Sequence, residues 1–325
     1  MKLPRRMFLQ LAGAAAVAPI FSRVATAQTY PSRPVRLVVC YPAGGANDII
    51  GRLIGQWLSE RLGQQFIIEN RVGAAGNIGT EAVVRSPADG YTLLLAGSFN
   101  AINATLYDKL NFNFIRDIAP VAGILRSTLV MLVNPRVSAN SVPEFIDYAK
   151  ANPGKINMAS AGGGNISHVA GELFKAMTGV NMLHVPYRGG AQILPDLIGG
   201  QVQVYFTTIS ESIEYIRAGR LRALAVATAT RSQVLPDIPA LGEFVPGYEA
   251  IGWQGIGAPK NTPTDIIDKL NKEINAGIAD PKLKARLADL GTTPLAGSPA
   301  DLGKIIADET EKWAKVIKSA NIKAE

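Results

Sequence analysis

Three glycine-rich stretches are the residues of this 325-residue chain best suited to chemistry. Ala43-Gly44-Gly45 follows the apolar run 35–40, Ala161-Gly162-Gly163-Gly164-Asn165 follows 156–160, and Arg188-Gly189-Gly190 follows 182–187. A helical segment comes after each. In the first of these, residues 49, 50, 53, 54, 57, 58 and 62 are apolar, three- and four-residue steps that mark one helix face. A loop between strand and helix aims backbone N–H groups past the strand end, and the helix start adds about half a positive charge. Glycine permits the positive φ and close backbone approach that such a loop needs. The chemistry on offer is binding of a carboxylate or phosphate with no obligatory arginine. The plainer alternative, for any one loop, is an ordinary turn.

Other reactive residue types are scarce. Two histidines, His168 and His184, and one cysteine, Cys40, exclude a His-rich metal site, a Cys-rich zinc or iron–sulfur site and an internal disulfide framework. Carboxylate-only calcium or magnesium sites stay open. Ser167 and His168 are adjacent at a helix start, where a polar contact or packing role is the simpler reading than a general base. His184 sits in an apolar strand and reads as structural. Arg188 is either a bidentate partner for a carboxylate or a solvated loop charge. Cys40 reads as a buried strand residue, and Trp57, Trp253 and Trp313 as core. Gly73, Gly76 and Gly79 are spaced G-x-x-G-x-x-G, not as the dinucleotide fingerprint, and no phosphate-binding P-loop or nucleophile elbow occurs.

The elements that must position these loops alternate strand and helix. Strands at 35–40, 66–69 and 92–96 with helices between them imply a parallel sheet. Asn47 or Asp48 could cap the first helix and Gly63 end it. The pattern restarts with a capping box at Ser141 and Glu144, a strand at 156–160, a helix capped by Asn165 or Ser167 and ended by Gly179, and strands at 182–187, near 202–206 and at 221–227. Apolar segments at 121–133 and 251–258 read as two crossings between α/β lobes. Helices at 265–278, 281–290 and 300–319 return to the first lobe. The expected division is lobe 1 from 28–126 plus 250–325 and lobe 2 from 127–249, with the ligand in the cleft between them.

The charge is +7, from 33 basic and 26 acidic residues. Lys2, Arg5, Arg6 and Arg23 lie in residues 1–27, which hold no acid, so the rest carries 29 basic against 26 acidic residues. That balance, with no basic tract, excludes a nucleic-acid partner and mildly favours anionic small ligands. Glycine and proline make up 16% of the chain (32 and 20 residues), too little for a low-complexity sequence. Residues 1–27 read as an export signal: a positive start, a short apolar stretch at 7–20 and Ala25-Thr26-Ala27 as cleavage site. Arg5-Arg6-Met7-Phe8-Leu9 matches the twin-arginine motif, and the general secretory route is the alternative. One lone cysteine suits an oxidising compartment.

Together these segments carry a resemblance over nearly the whole mature chain. Tyr-Pro-Ala-Gly-Gly-Ala-Asn-Asp at 41–48, Glu-Asn-Arg-Val-Gly-Ala-Ala-Gly-Asn-Ile-Gly at 69–79 and Asp-Gly-Tyr-Thr-Leu-Leu at 89–94 are matching motifs. So are Ala-Ser-Ala-Gly-Gly-Gly at 159–164, His-Val-Pro-Tyr-Arg-Gly-Gly at 184–190, Leu-Arg-Ala-Leu-Ala-Val-Ala-Thr at 221–228 and Leu-Pro-Asp-Ile-Pro-Ala-Leu at 235–241. In number, order and spacing they resemble the substrate-binding proteins of tripartite tricarboxylate transporters, the Bug-type receptors. The resemblance implies a two-lobed α/β fold of the type II periplasmic binding-protein class. It implies a monomeric, non-enzymatic receptor without cofactor that closes on a small carboxylate and delivers it to membrane permease subunits.

Family ligands are held mainly by loop amides and ordered water. Position by position, this places Ala43, Gly44, Gly45 and Asp48 at the site, with Asp48 ordering the loop or holding water. Gly97 and Ser98 join them, then Ala161, Gly162, Gly163, Ser167 and His168, and Tyr187, Gly189 and Gly190. Two departures fall at the expected cleft: Ala43-Gly44-Gly45-Ala46 replaces a Pro-Gly-Gly-Pro/Ser pattern, and Thr207, also counted in the site, stands with Thr208 where an aspartate is frequent. Two other readings remain. A module presenting ligand to a sensor kinase needs the same clamshell, and an exported hydrolase or lyase would use Ser98, Ser167 and His168.

Overall fold

The computed structural model describes residues 30–187 and 189–324, so the expected leader and Arg188 lie outside the described residues. The chain runs β1 (Val35–Val39), α1 (Ala46–Leu62), β2 (Phe66–Asn70), α2 (Asn77–Val84), β3 (Thr92–Gly97), α3 (Ser98–Leu106), α4 (Phe114–Asp117) and β4 (Ile118–Val133). It continues through α5 (Val142–Ala151), β5 (Asn157–Ser160), α6 (Ile166–Thr178), β6 (Leu183–Pro186), α7 (Gly190–Gly199), β7 (Val204–Thr208), α8 (Ile209–Arg217) and β8 (Arg222–Val226). The last third holds β9 (Ile251–Pro259), α9 (Thr264–Ala279), α10 (Pro281–Asp289), β10 (Thr292–Pro294) and α11 (Pro299–Ser319).

Local sequence explains the first unit. Ile50, Ile54 and Leu58 recur every four residues and bury one face of α1. A Cβ on Gly51 would lie 2.8 Å from Val39, and one on Gly55 2.9 Å from Ile68. The two glycines thus let α1 lie directly on β1 and β2. The helix stops at Gly63, which adopts φ +71°.

The strands form two sheets that share β4. In the first, β2, β1 and β3 are parallel, as expected, and β9, β4 and β10 continue antiparallel. In the second, β6, β5 and β7 are parallel, and β4 and β8 complete it antiparallel. The antiparallel pairs all involve β4 or β9, the two segments expected to cross. Directions then follow without further assumption. β3 is antiparallel to β9 and β9 to β4, so β1 and β3 run the same way as β4, toward the second sheet. β7 opposes β4, so β5, β6 and β7 run back toward the first. The C-terminal ends of both parallel sets therefore face the junction. Gly97, ending β3, pairs with Gln254, which pairs with Leu125 of β4. Thr208, ending β7, pairs with Leu129. Those levels are four residues apart on β4, about 13 Å at strand rise.

Three apolar clusters hold this frame. One packs α1, α9 and α10 on the first sheet. A second packs α7 on the second sheet. The third is shared: Leu94 and Ala96 of β3, Met131 of β4 and Phe206 of β7 lie in one cluster with Ile102, Phe174 and Trp313 from α3, α6 and α11.

Some elements differ from the sequence reading. Helix α3 was not expected, because Ser-Phe-Asn-Ala-Ile-Asn-Ala-Thr-Leu is rich in weak helix formers. It forms because Ala101, Ile102 and Leu106 are buried and its asparagines are bonded: Asn100 donates to Thr80 Oγ1 (2.9 Å) and Asn103 to the Ala75 carbonyl (2.8 Å). Neither Asn47 nor Asp48 caps α1. Gly45 is the N-cap, with no side-chain hydrogen bond. The short helix that the sequence suggests near 212–218 is α8, and it begins earlier, at Ile209, directly after β7.

Gly164 is a local test of the packing between halves. Its φ is +70°, and a Cβ there would fall 2.0 Å from Leu106 at the end of α3. Gly164→Ala is expected to destabilise the protein by about 1–3 kcal/mol, read by urea unfolding. In a Leu106→Ala background the same change should cost less. Equal cost in both backgrounds would show that the Leu106 contact contributes nothing.

Candidate functional site

Six helices begin at strand ends that face the junction: α1, α2 and α3 from the first sheet, and α6, α7 and α8 from the second. Five of them, all but α6, start with no side-chain hydrogen bond to their first-turn N–H groups. Elsewhere the opposite holds: Asn113, Ser141, Asp280 and Ser298 cap α4, α5, α10 and α11, with α9 the exception. An uncapped helix start leaves backbone donors for another partner. Their concentration at one place makes the junction suited to an anion.

On the first-sheet side, Ala43, Gly44 and Gly45 are exposed. Gly44 has φ +81°, a conformation glycine supplies without strain. Asp48 is buried beneath this loop. Its carboxylate accepts from the Gly44 amide (2.9 Å), Arg52 Nε (2.8 Å) and Asn70 Nδ2 (3.0 Å). The Arg52 guanidinium, aided by those donors against the penalty of burial, holds its pKa down at about 2. Asp48 therefore stiffens the loop and does not face a solute. The amide of Gly97 donates to Asn100 Oδ1 (3.0 Å), and Ser98 Oγ accepts from the Trp253 amide (2.9 Å). Gln254 donates to Asn47, tying β9 to the first turn of α1. Tyr41 and Phe99 meet edge to face at 5.1 Å.

On the second-sheet side, Ala161, Gly162 and Gly163 are partly exposed, and Gly162 adopts φ +127°. Ser167 is buried. Its hydroxyl accepts from the Ala161 amide (2.9 Å) and donates to Asn165 Oδ1 (3.2 Å), while Asn165 caps α6. His168 Nδ1 accepts from the Gly164 amide at 3.0 Å. Its ring stacks on His184 at 3.5 Å and 5°, so the chain's two histidines form one pair. His184 Nε2 lies 2.6 Å from Ser160 Oγ. Burial, reinforced by the neighbouring His168, pushes the His184 pKa down to about 4. Tyr187 donates its hydroxyl to Asp196 (2.7 Å), and burial with that carboxylate raises its pKa to about 12. Gly189, with φ +146°, and Gly190 open α7. Thr207 is buried and donates to Glu211 Oε2 at 2.7 Å.

All fifteen expected site residues lie on the segments that reach the junction. The side chains of Asp48, Ser98, Ser167, His168 and Thr207 are engaged in holding their loops. The hydrolase reading has no geometry: among the described residues the Ser–His hydrogen bond is Ser160–His184, with Ser160 fully buried. No group of three His, Cys, Asp or Glu among the described residues could hold a metal. Cys40 is buried, hydrogen-bonds with Thr80, and is pushed by burial to a pKa of about 11. Sequence reasoning missed Asn100, Gln254 and Glu211, while Asn165, one of its two candidate caps, does cap α6. Of the three missed, only Asn100 left a signal, three residues beyond the glycine it caps.

The family model described as "Tripartite tricarboxylate transporter family receptor" matches residues 50–322. Protein BugT of Bordetella pertussis is 35% identical over 320 residues, covering 98% of this chain and 96% of its own. Among solved structures, R. palustris Rpa4515 with adipate is 37% identical, covers 90% of this chain and 99% of its own, and superposes with a TM-score of 0.82. The periplasmic binding protein BugD is 33% identical, with coverage of 91% and 100% and a TM-score of 0.79.

The histidine pair gives a pH test. His184 titrates near 4 when folded and near 6.5 when unfolded. Between those values the unfolded chain takes up a proton that the folded one refuses, so stability is full above about 6.5 and is lost as pH falls toward 4. The melting midpoint of wild type should drop across that window more steeply than that of His184→Gln. Parallel curves would remove His184 as the cause.

Proposed function

Because the chain belongs to the tripartite tricarboxylate transporter receptor family, a family of solute-binding receptors and not of enzymes, we propose that it captures a small carboxylate at the junction and hands it to membrane permease subunits. The observation that carries this reading is the set of five uncapped helix starts around exposed glycine loops. Such donors suit carboxylate oxygens and need no charged side chain. The adipate held by Rpa4515 supports the ligand class. Direct contact falls to the amides of Ala43, Gly45, Gly162, Gly163, Gly189 and Gly190. Asp48, Ser167 and His168 hold the loops that carry them by taking the Gly44, Ala161 and Gly164 amides, and Ser98 ties its loop to the Trp253 amide. The protein works as a monomer in the periplasm, reached by the twin-arginine route on the strength of Arg5-Arg6-Met7-Phe8-Leu9. Residues 28–126 with 250–325, and 127–249, are the two lobes that approach each other on the solute.

The test uses residues 28–325 with a panel of mono- and dicarboxylates, with and without amino groups. A true ligand at 100 times its Kd adds about 2.7 kcal/mol of stability and is recovered chemically unchanged by mass spectrometry. Turnover of the compound, or a panel that leaves the melting midpoint unmoved, overturns the reading. Gly44→Val forces a branched side chain to φ +81°. Its strain of about 1–3 kcal/mol should weaken binding by about tenfold with little change in fold. Unaltered affinity would remove that loop from the site.

A further inference from the structure

We propose that Glu211 makes the second-sheet end of the site an acceptor for positive charge, so that the solute is a carboxylate carrying an ammonium group and not a dicarboxylate. The inference rests on the receptor reading above and narrows its ligand class. Glu211 lies in the first turn of α8, at the junction. Its Oε2 accepts from Thr207 Oγ1 at 2.7 Å and from the Tyr205 hydroxyl at 3.5 Å. Thr207 and Tyr205 are buried, whereas Glu211 is exposed. The carboxylate is therefore anchored from beneath and presented to solvent.

It also lies against the start of α7. A Cβ on Gly190 would fall 2.6 Å from Glu211 Oε2 and 3.1 Å from the Tyr205 oxygen. Gly190 is not in the left-handed region, so a side chain there would meet this carboxylate and not backbone strain. The positive ends of α7 and α8 consequently have an anion of the protein's own beside them. Asp196, bonded by Tyr187, adds a second carboxylate on α7. Glu211 Oε1 accepts no hydrogen bond among the described residues.

The first-sheet end is built the other way. Its acid, Asp48, is buried and consumed by Arg52, Asn70 and the Gly44 amide. The starts of α1 and α3 keep their positive ends for a carboxylate. A solute bridging the junction meets donors at one end and an exposed carboxylate at the other. A second carboxylate would be repelled there, whereas an ammonium group would be matched in charge and in donors.

The experiment is isothermal titration of residues 28–325 with matched probes: adipate, 5-aminopentanoate, 5-hydroxypentanoate and their shorter homologues. Wild type should bind the amino acid tighter than the dicarboxylate of equal length by about tenfold or more. Glu211→Gln keeps an acceptor for Thr207 and should keep the melting midpoint while abolishing that preference. If that variant does not fold, Glu211→Asp, which keeps the charge one methylene further back, should reduce the preference without reversing it. Tighter dicarboxylate binding by wild type, or a preference unchanged in Glu211→Gln, overturns the role of Glu211 and leaves the receptor reading standing. Tightest binding of the hydroxy acid overturns the ammonium class. Failure of every probe and of the wider carboxylate panel overturns both readings.

Discussion

One uninterrupted strand, Ile118–Val133, belongs to both sheets, and its direction decides where everything else points. A strand cannot reverse within itself. Once β4 leaves the first sheet heading into the second, its antiparallel pairings with β9 and β7 set the parallel strands on each side to end toward the junction. Strand–loop–helix units place their loops at strand C-terminal ends, the usual position for ligand sites in open α/β sheets. Register shifts at Pro120/Ala122, Gly123/Leu125 and Met131/Leu132 bend the long strand without breaking it. The glycine loops converge because of this constraint and not because of their own composition.

The loops answer a conflict between openness and rigidity. Five helices at the junction forgo a side-chain cap, four of them with glycine at the cap position, where the cost is only about a few tenths of a kcal/mol each. Loose loops around open donors would bind poorly, because ordering them would consume affinity. The buried polar side chains resolve the conflict from below. Asp48 grips the Gly44 amide, Asn100 the Gly97 amide, Ser167 the Ala161 amide and His168 the Gly164 amide. Each takes an N–H in the loop and leaves the helix start facing out.

Much of this was legible in the sequence, for identifiable reasons. Periodicity and the glycine punctuation marked α1, α6 and the three loops, because those signals act within a few residues. The crossing at 121–133 showed as an apolar segment between the two strand–helix repeats. Helix α3 was hidden because burial of Ile102 and Leu106, and bonds from Asn100 and Asn103 to residues twenty or more positions away, outweigh its poor propensity. The stacking of His168 on His184 joins a helix to a strand, and no spacing encodes it. Glu211 carries no signal of its own in the sequence, since its setting depends on Gly190 from another element. Asn47 and Asp48 were natural capping candidates by type, yet the chain turns at Gly45 and sends Asp48 inward.

Helix α11 packs against α3, α6 and β4, and Trp313 on it is fully buried in the cluster that spans both sheets. The two halves are thus not joined only by flexible crossings. Relative motion between them has to slide α3 and α6 along a common helical rail, a shear in which packed side chains exchange neighbours without being exposed to water. Close-packed surfaces of this kind have few alternative arrangements, so any such motion would be small in amplitude and switch-like, with its tempo set by side-chain repacking in that shared cluster and not by the glycine loops.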